Sequence, residues 1–303
     1  EDFTHIDPTL LQAGMNQLAV EIHQVQGNSS DISFDLTLAG IPRDRSLLTL
    51  QPGINRMVVQ SFDTLHGNGQ ELERTEIDIW YKVQNPRPVG GPLNQDTLLD
   101  AASGPWLVTE TLTIGTGVTL SIEPGTTVFF QPGTGITVPA GGRLLAEGTA
   151  QQHIRLTRPT PMTGWDGILL DHSLEDNRLS YVDVEFGDSP GPVITVESAQ
   201  VLLDHLTWPA TNALVLELHH PRALIHACIF PSLTDTEPVH GSGLSGAEYL
   251  IFEACVFGTA MGYNDIIDFS GGHRPGPILE LYDCIFLGGG DDGVDLDGAD
   301  AHI

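Results

Sequence analysis

The sequence predicts an all-β protein whose larger part is a parallel β-solenoid. Two observations carry this prediction. First, an aromatic residue recurs at intervals of 22, 22, 27 and 29 residues, at Phe186, Trp208, Phe230, Phe257 and Phe286. Second, the apolar runs between these residues are short, alternate with polar residues and are rich in Val, Ile, Leu and Phe. A repeat of this length with β-type alternation indicates one coil of strands per repeat.

The composition is that of a turn-rich and strongly acidic protein. Hydrophobic residues make up 40% of the 303 positions, which is enough for a core, and the 34 glycines and 20 prolines supply turns. There are 40 acidic residues against 12 basic ones, so the net charge is −28 at pH 7. This charge disfavours nucleic acid and anionic membrane surfaces as partners, and we expect no direct insertion into a membrane. It attracts cations and suits an extracellular or high-salt environment.

Residues 1–85 are predicted to form antiparallel β-structure in two small modules. A turn that contains glycine, followed by an alternating strand, occurs at 11–20 and again at 50–59. Residues 1–42 are then the terminal strands of one β-sandwich, and residues 43–85 form a second, shorter β module.

Both modules resemble the ends of known β-sandwich domains. Over residues 16–24 and 29–35 the first module resembles the final strands of a galactose-binding-like jelly roll. The second module resembles the last strands of an immunoglobulin-like domain. The first of these resemblances implies a large secreted bacterial multidomain protein.

The solenoid is predicted over residues 105–303, after a Pro- and Gly-rich linker at 86–104. Residues 111–123 are matched 24 positions later by residues 135–147. With residues 164–168, these turns resemble the entry rungs of right-handed parallel β-helices of the pectin-lyase-like superfamily. That fold carries lyases, hydrolases, adhesins and inert scaffolds, so the resemblance does not choose an activity. We expect the chain to be part of a longer protein, with the solenoid truncated at its C-terminal end.

Three cysteines occupy one position of the repeat. Cys228, Cys255 and Cys284 each stand two residues before a recurring aromatic residue. Parallel rungs rise by about 4.8 Å, so neighbouring thiols come within disulfide reach, but a buried stack favours free cysteines that act as small apolar residues. A zinc site is disfavoured, since only His226 and Cys228 approach a ligand spacing.

The densest polar motif lies near the C-terminus. The motif at 264–269 recurs 27 residues later at 291–296. If this offset is one turn, Asp265 lies beside Asp292 and Asp268 lies beside Asp295. Stacked carboxylates repel one another, and a hard cation with oxygen ligands, such as Ca²⁺, would offset the repulsion. The predicted calcium ligands are Asp265, Asp268, Asp292, Asp295 and Asp297, with Asp300 extending the cluster.

The protein's own candidates for offsetting these carboxylates are His273 and Arg274, which lie between the two copies of the motif. Two other interpretations of the motif stay open. In one, the carboxylates are solvated turn residues that cap backbone amides. In the other, they form a catalytic pair.

Under the catalytic interpretation, the candidate residues are Asp291, Asp292, Asp268 and Arg274. The first two resemble the Asp pair of polygalacturonase-like glycosidases, although the Gly-His-Gly and Arg-x-Lys of that pattern do not follow. Arg274 is the nearby candidate for the proton abstractor of a pectate-lyase-like enzyme.

The sequence therefore predicts an extracellular or cell-surface β-helix protein with a structural, adhesive or glycan-binding role and with Ca²⁺ as stabiliser. The expected partners are glycans or other surface or matrix proteins, within a larger assembly or filament. The alternative is a polysaccharide lyase or glycoside hydrolase that uses the Asp-rich turns at 264–300.

Overall fold

The computed structural model describes residues 17–19, 53–63, 69–81, 85–159, 164–187 and 191–303. All regular structure in these residues is β-strand. Across these same ranges no membrane-spanning helix is found. The chain divides into two units, Glu1–Lys82 and Val83–Ile303.

The first unit contains three described strands, β1 (Gln17–Ala19), β2 (Gly53–Phe62) and β3 (Glu71–Tyr81). β2 and β3 form an antiparallel pair with a register shift between Ser61 and Phe62. β1 pairs with β2 in parallel. The antiparallel pairing predicted for this region is therefore confirmed for β2 and β3. Most of the jelly-roll-like segment 1–42, including its predicted second strand at 31–38, lies outside the described residues.

The second unit is a parallel β-solenoid of about eight turns. The strands of its first five turns are β4 (Arg87–Val89), β5 (Pro92–Leu93), β6 (Thr97–Leu99), β7 (Trp106–Val108), β8 (Leu112–Ile114), β9 (Thr119–Ile122), β10 (Thr127–Phe130), β11 (Ile136–Val138), β12 (Arg143–Glu147), β13 (Ile154–Thr157), β14 (Ile168–Asp171), β15 (Asn177–Ser180), β16 (Val182–Val184), β17 (Ile194–Glu197) and β18 (Gln200–Asp204). The following turns contain β19 (Leu216–His219), β20 (Arg222–His226), β21 (Val239–Ser242), β22 (Tyr249–Glu253), β23 (Val256–Thr259), β24 (Ile267–Ser270), β25 (Leu279–Tyr282), β26 (Ile285–Gly288), β27 (Val294–Asp295) and β28 (Ala301–His302).

These strands form three parallel faces. Sheet 1 has the order β16-β13-β10-β7-β4, and single bridges at Thr207 and Ile229 connect it to the pair β23-β26. Sheet 2 has nine strands in the order β27-β24-β21-β19-β17-β14-β11-β8-β5. Sheet 3 also has nine, in the order β28-β25-β22-β20-β18-β15-β12-β9-β6. Because each turn pairs with the next in register, side chains at one position of successive turns form columns.

The alternating residues of each strand point in turn into the core and towards the outer face. In β18, for example, Val201 and Leu203 are buried while Gln200, Leu202 and Asp204 are half-buried on the outer face. Inward residues of all three sheets join one continuous core. Each fully buried Val, Leu, Ile or Phe contributes about 1.5–3 kcal/mol of transfer free energy, so the core is the main source of stability.

In the later turns, sheets 2 and 3 meet at short corners that contain a residue of positive φ, such as His172, Ser198 and His220. Sheets 3 and 1 meet in the same way. The second set of corners has φ between 50° and 55° and contains Tyr181, His205, Ala227, Ala254 and Asp283. In four of these corners the N–H donates to the carbonyl of the residue that ends the next sheet 3 strand, as from Tyr181 to Asp204 at 2.9 Å and from His205 to His226 at 2.9 Å. These bonds offset the conformational cost of the left-handed backbone.

Four of the recurring aromatic residues form a stacked column inside the solenoid. Ring centroids are 4.9 Å apart for Trp208 and Phe230, 4.5 Å for Phe230 and Phe257, and 4.8 Å for Phe257 and Phe286. Ring contact thus confirms the predicted repeat from Trp208 to Phe286. The prediction is wrong for Phe186, because the bridge between Asp183 and Thr207 places Val184, and not Phe186, beside Trp208. The ring of Phe186 instead lies under the guanidinium of Arg158, at 3.8 Å.

The cysteines are free, as predicted. Cys228 and Cys255 are buried, and Cys284 is half-buried. A hydrogen bond with the Cys228 thiol, with burial, raises the pKa of Cys255 to about 12. Cys228 points inward, where its thiol contacts the Leu203 carbonyl at 3.6 Å, while His226 lies on the outer face, so these two residues do not converge on one ion.

The solenoid begins earlier than the sequence indicates. Residues 86–104, predicted as a linker, contain β4, β5 and β6, which pair with β7, β8 and β9. The Pro and Gly residues that suggest a linker lie in or between these very short strands. Pro88 and Pro92 are tolerated because β4 and β5 are the terminal strands of their sheets, where a missing N–H breaks no ladder.

Candidate functional site: the outer face of sheet 2

The candidate site is a column of titratable side chains on the outer face of sheet 2. Glu217 of β19 is in register with His240 of β21. His240 is in register with Asp268 of β24, and Asp268 with Asp295 of β27. Four ionisable side chains therefore succeed one another at the rung spacing of about 4.8 Å.

His240 lies between two carboxylates of this column. Its Nε2 is 3.9 Å from Oδ2 of Asp268, and its Nδ1 is 3.9 Å from Oε1 of Glu217. Glu237, just before β21, approaches from the side, and the ligand atoms of Glu237, His240 and Asp268 all lie within 4.8 Å of one another. His219 closes the group, with Nε2 3.4 Å from Oε1 of Glu217.

The repeated Asp motifs meet as the 27-residue offset implies. Asp268 and Asp295 are Cα partners in adjacent strands. Oδ1 of Asp265 accepts the backbone N–H of Asp292 at 2.7 Å. Oδ1 of Asp295 accepts the N–H of Asp297 at 3.1 Å. The structure thus brings the predicted residues together, and two of them also cap backbone amides, as the turn-residue interpretation requires.

We name Glu237, Asp265, Asp268 and Asp295 the acidic cluster. Burial raises the pKa of Asp268, His240 opposes the rise, and Asp295 and Asp297 add to it. Burial also raises the pKa of Asp265. The hydrogen bond from the Asp292 N–H lowers this pKa, and the charge of Asp295 raises it further. Burial is also the main cause of the raised pKa of Glu237. Asp268 adds to this rise, and His240 opposes it. Each of these three carboxyls is less stable as an anion than it would be in water.

Arg274 contacts Asp300, one of the carboxylates that it is predicted to offset. Its N–H donates to Oδ2 of Asp300 at 2.8 Å, and its guanidinium donates to the Ala301 carbonyl at 3.2 Å. These partners belong to the start of β28, in sheet 3. The base that faces Asp268 is His240, so the contact of Arg274 is with Asp300 and not with Asp268.

Asp291 and Asp292 lie in the exposed loop before β27. The N–H of Asp291 donates to the Asn264 carbonyl at 3.3 Å, which places this loop directly over its counterpart one turn earlier. The catalytic interpretation needs these carboxylates and a base at one place. Arg274, the candidate base, is instead engaged by Asp300.

Sequence reasoning missed Glu237 and His240. The signal was available, because the repeat that aligns Asp295 with Asp268 extends back one more turn, with an offset of 28 residues, to His240. Glu237 is recognised only in the structure, by its short distance to His240. Neither residue belongs to a motif when the chain is considered alone.

Chemically, this face offers several carboxylate oxygens and one imidazole at fixed spacing. Oxygen-rich sets of this kind bind divalent cations, and the strands that carry them limit how far the ligands can move. The fold and this face together define an acidic parallel β-solenoid with a candidate cation site.

Comparison of the chain with protein-family models, with curated proteins and with solved structures gives no significant match. The parallel solenoid is established by the strand pairing itself. The pectin-lyase-like resemblance and the resemblances of the N-terminal modules stay predictions.

Proposed function

We propose that this protein is an extracellular or cell-surface β-solenoid with a structural role, stabilised by Ca²⁺ bound at the acidic cluster. The observation that carries the proposal is the convergence of carboxylates on this face: the ligand atoms of Glu237, His240 and Asp268 lie within 4.8 Å of one another, and Asp268 is in register with Asp295. The raised pKa of Glu237, Asp265 and Asp268 agrees with it. Burial is the main cause of the raised pKa values and repulsion between the carboxylates adds to it, and a bound divalent cation would offset both.

Calcium suits this group better than magnesium. Ca²⁺ accepts six to eight oxygens at about 2.3–2.6 Å in irregular geometry, whereas Mg²⁺ requires near-octahedral geometry at about 2.0–2.1 Å. The cluster draws its oxygens from three successive turns, from strands β24 and β27 and from the loops before β21 and β24, an arrangement with no octahedral symmetry. The predicted ligands Asp292 and Asp297 lie at its rim, where they can complete the shell with water.

The experiment is a calcium titration with thermal melting. A ligand that binds only the folded state at a concentration of about 100 Kd stabilises it by about 2.7 kcal/mol, so Ca²⁺ should raise the melting temperature and a chelator should lower it. Asp268→Asn and Asp295→Asn should each weaken calcium binding by at least about tenfold, since each removes a charged ligand.

The matched control is Glu197→Gln, which removes one negative charge from the outer face of β17, three strands away in the same sheet. It should leave calcium affinity unchanged. Equal losses in Glu197→Gln and Asp268→Asn would show a general effect of charge, and an absence of calcium binding in the wild type would refute the proposal.

A specific observation favours glycan binding as an additional role. Tyr263 is 95% exposed, and it lies in the same loop as Asp265, between β23 and β24. An exposed aromatic ring gives a sugar an apolar face to stack on, and a neighbouring cation can bind its hydroxyl or carboxylate oxygens.

The glycan proposal is tested on an array of neutral and acidic polysaccharides with and without Ca²⁺. Tyr263→Ala should abolish binding, whereas Tyr282→Ala, which removes an exposed tyrosine of sheet 3, should not. Binding that survives Tyr263→Ala would exclude this loop as the sugar platform.

A further inference from the structure

We infer that the protein has a second metal site, for a divalent transition metal such as Zn²⁺, formed by Asp204, His205 and His226. This site lies on sheet 3 and shares no residue with the acidic cluster. It does not depend on calcium binding or on the proposed extracellular role.

The three residues are brought together by register and by a corner. Asp204 ends β18 and is the Cα partner of His226, which ends β20. His205 follows Asp204 as a corner residue with φ 55°, and its backbone N–H donates to the His226 carbonyl at 2.9 Å. Both imidazoles are therefore fixed by the backbone beside one carboxylate.

The two imidazole nitrogens share one carboxylate oxygen. Nδ1 of His205 and Nδ1 of His226 each lie 2.7 Å from the same oxygen, Oδ1 of Asp204. All three ligand atoms lie within 4.8 Å of one another. Ligands of one tetrahedral zinc ion, with bonds of about 2.0–2.2 Å, lie about 3.3 Å apart, so each nitrogen needs to move only about 0.6 Å away from the carboxylate oxygen to admit the ion.

Neighbouring corner residues hold the ring of His205 in place and leave room beside the ring of His226. The ring of His205 stacks on Tyr181, the previous corner residue, at 4.4 Å between centroids and 19° between planes. The next corner residue is Ala227, whose side chain is small. The rings of His226 and His205 meet edge to face, with their centroids 5.6 Å apart. Stacking and small neighbours of this kind limit the reorganisation that binding requires.

The ligand chemistry selects a transition metal over calcium. Two imidazole nitrogens and one carboxylate oxygen suit Zn²⁺, Co²⁺, Ni²⁺ and Cu²⁺, whereas Ca²⁺ and Mg²⁺ prefer oxygen alone. A neutral imidazole can place its one proton on Nε2 and present the Nδ1 lone pair to the metal. Glu253 is the Cα partner of His226 in the next turn, so the column that carries His226 continues with a carboxylate.

The site is open to solvent from outside. The side chain of Asp204 is 24% exposed, and those of both histidines are 39% exposed. An ion can therefore enter without unfolding, and the fourth ligand position is available to water, as in sites where zinc keeps an exchangeable ligand. The net charge of −28 raises the local concentration of cations around the chain.

The test uses the whole chain without a polyhistidine tag, titrated with Zn²⁺ in calcium-containing buffer. We expect the wild type to bind Zn²⁺ and to melt at a higher temperature when it does. His205→Ala and His226→Ala should each weaken zinc binding by at least about tenfold. The matched control is His172→Ala: His172 is also a corner residue whose Nδ1 contacts the preceding aspartate, Asp171, at 2.5 Å.

The affinity of His172→Ala should equal that of the wild type. The proposal is refuted if the wild type binds no zinc, if both histidine variants retain wild-type affinity, or if His240→Ala alone removes binding. Anomalous scattering from zinc-soaked wild-type crystals gives an answer even if a variant does not fold. A peak between Asp204, His205 and His226 supports the site, and a peak elsewhere, or none, overturns it.

Discussion

Single residues in this solenoid act on residues one turn away. Asn177 illustrates this, because its buried side chain joins three turns. Its Oδ1 accepts the Leu144 N–H at 2.9 Å, and its Nδ2 donates to the Gln200 carbonyl at 3.0 Å. The same amide also donates to Ser173 Oγ at 3.0 Å. A buried polar side chain is tolerated here because its hydrogen bonds are made.

Asp268 allows a pH prediction at the same scale. Asp268→Asn should raise the melting temperature at about pH 7.5 in calcium-free buffer and leave it unchanged at about pH 3. Burial raises the folded-state pKa of Asp268 above the ordinary 3.8. The favourable contribution of this carboxyl is thus complete below the unfolded pKa and is lost as the pH rises through the folded pKa. Calorimetry at the two pH values measures the effect.

Asp176 provides a control of opposite sign. A hydrogen bond from Arg178 lowers the pKa of Asp176, so this carboxylate contributes stability above its unfolded pKa and loses it as the pH falls through the folded value. Asp176→Asn should therefore lower the melting temperature at neutral pH. If both variants shift stability in the same direction, the electrostatic account of the acidic cluster is wrong.

At the scale of elements, the stacked aromatic column connects successive turns through their side chains. Phe257 is fully buried between Phe230 at 4.5 Å and Phe286 at 4.8 Å. Phe257→Ala should cost about 3–5 kcal/mol of unfolding free energy, because it removes buried area and leaves a cavity. Equilibrium denaturation in urea measures the loss.

Phe286→Ala is the matched comparison. Phe286 is half-buried and stacks on Phe257 in the last turn of the column, so its truncation should cost clearly less. Equal costs at the two positions would mean that stacking between turns, and not burial, determines the contribution of each ring.

The first turn shows where element prediction from sequence fails. β4, β5 and β6 contain only two or three residues each and include Pro88 and Pro92. No alternation can be recognised in so short a run, and proline usually indicates a break. They become strands because the following turn offers them a paired edge, which is information from outside the segment.

For the whole molecule, charge is the dominant property. The excess of 28 negative charges makes self-repulsion a significant cost of the compact state. Raising NaCl from about 0.01 M to about 1 M shortens the Debye length from about 30 Å to about 3 Å, so the melting temperature should rise. The scan is run with chelator present throughout, so that calcium makes no contribution.

A neutral osmolyte of matched osmolality serves as the control for this salt experiment. It should produce a smaller rise, because it leaves the Coulomb repulsion unscreened. A melting temperature that is independent of salt, or that falls, would show that the acidic residues are too widely spaced to repel one another.

The sequence by itself determined the coil, its aromatic column, the inward cysteines and the one-turn offset that places Asp268 beside Asp295. These follow from periodicity, and periodicity is a property of the chain alone. Only the tertiary structure decided that His240 and Glu237 join the acidic cluster, that Arg274 faces Asp300, and that His205 and His226 share the carboxylate of Asp204. The physical reason is that turns differ in length, so the register between outward columns is set by strand pairing and corner geometry and not by distance along the chain.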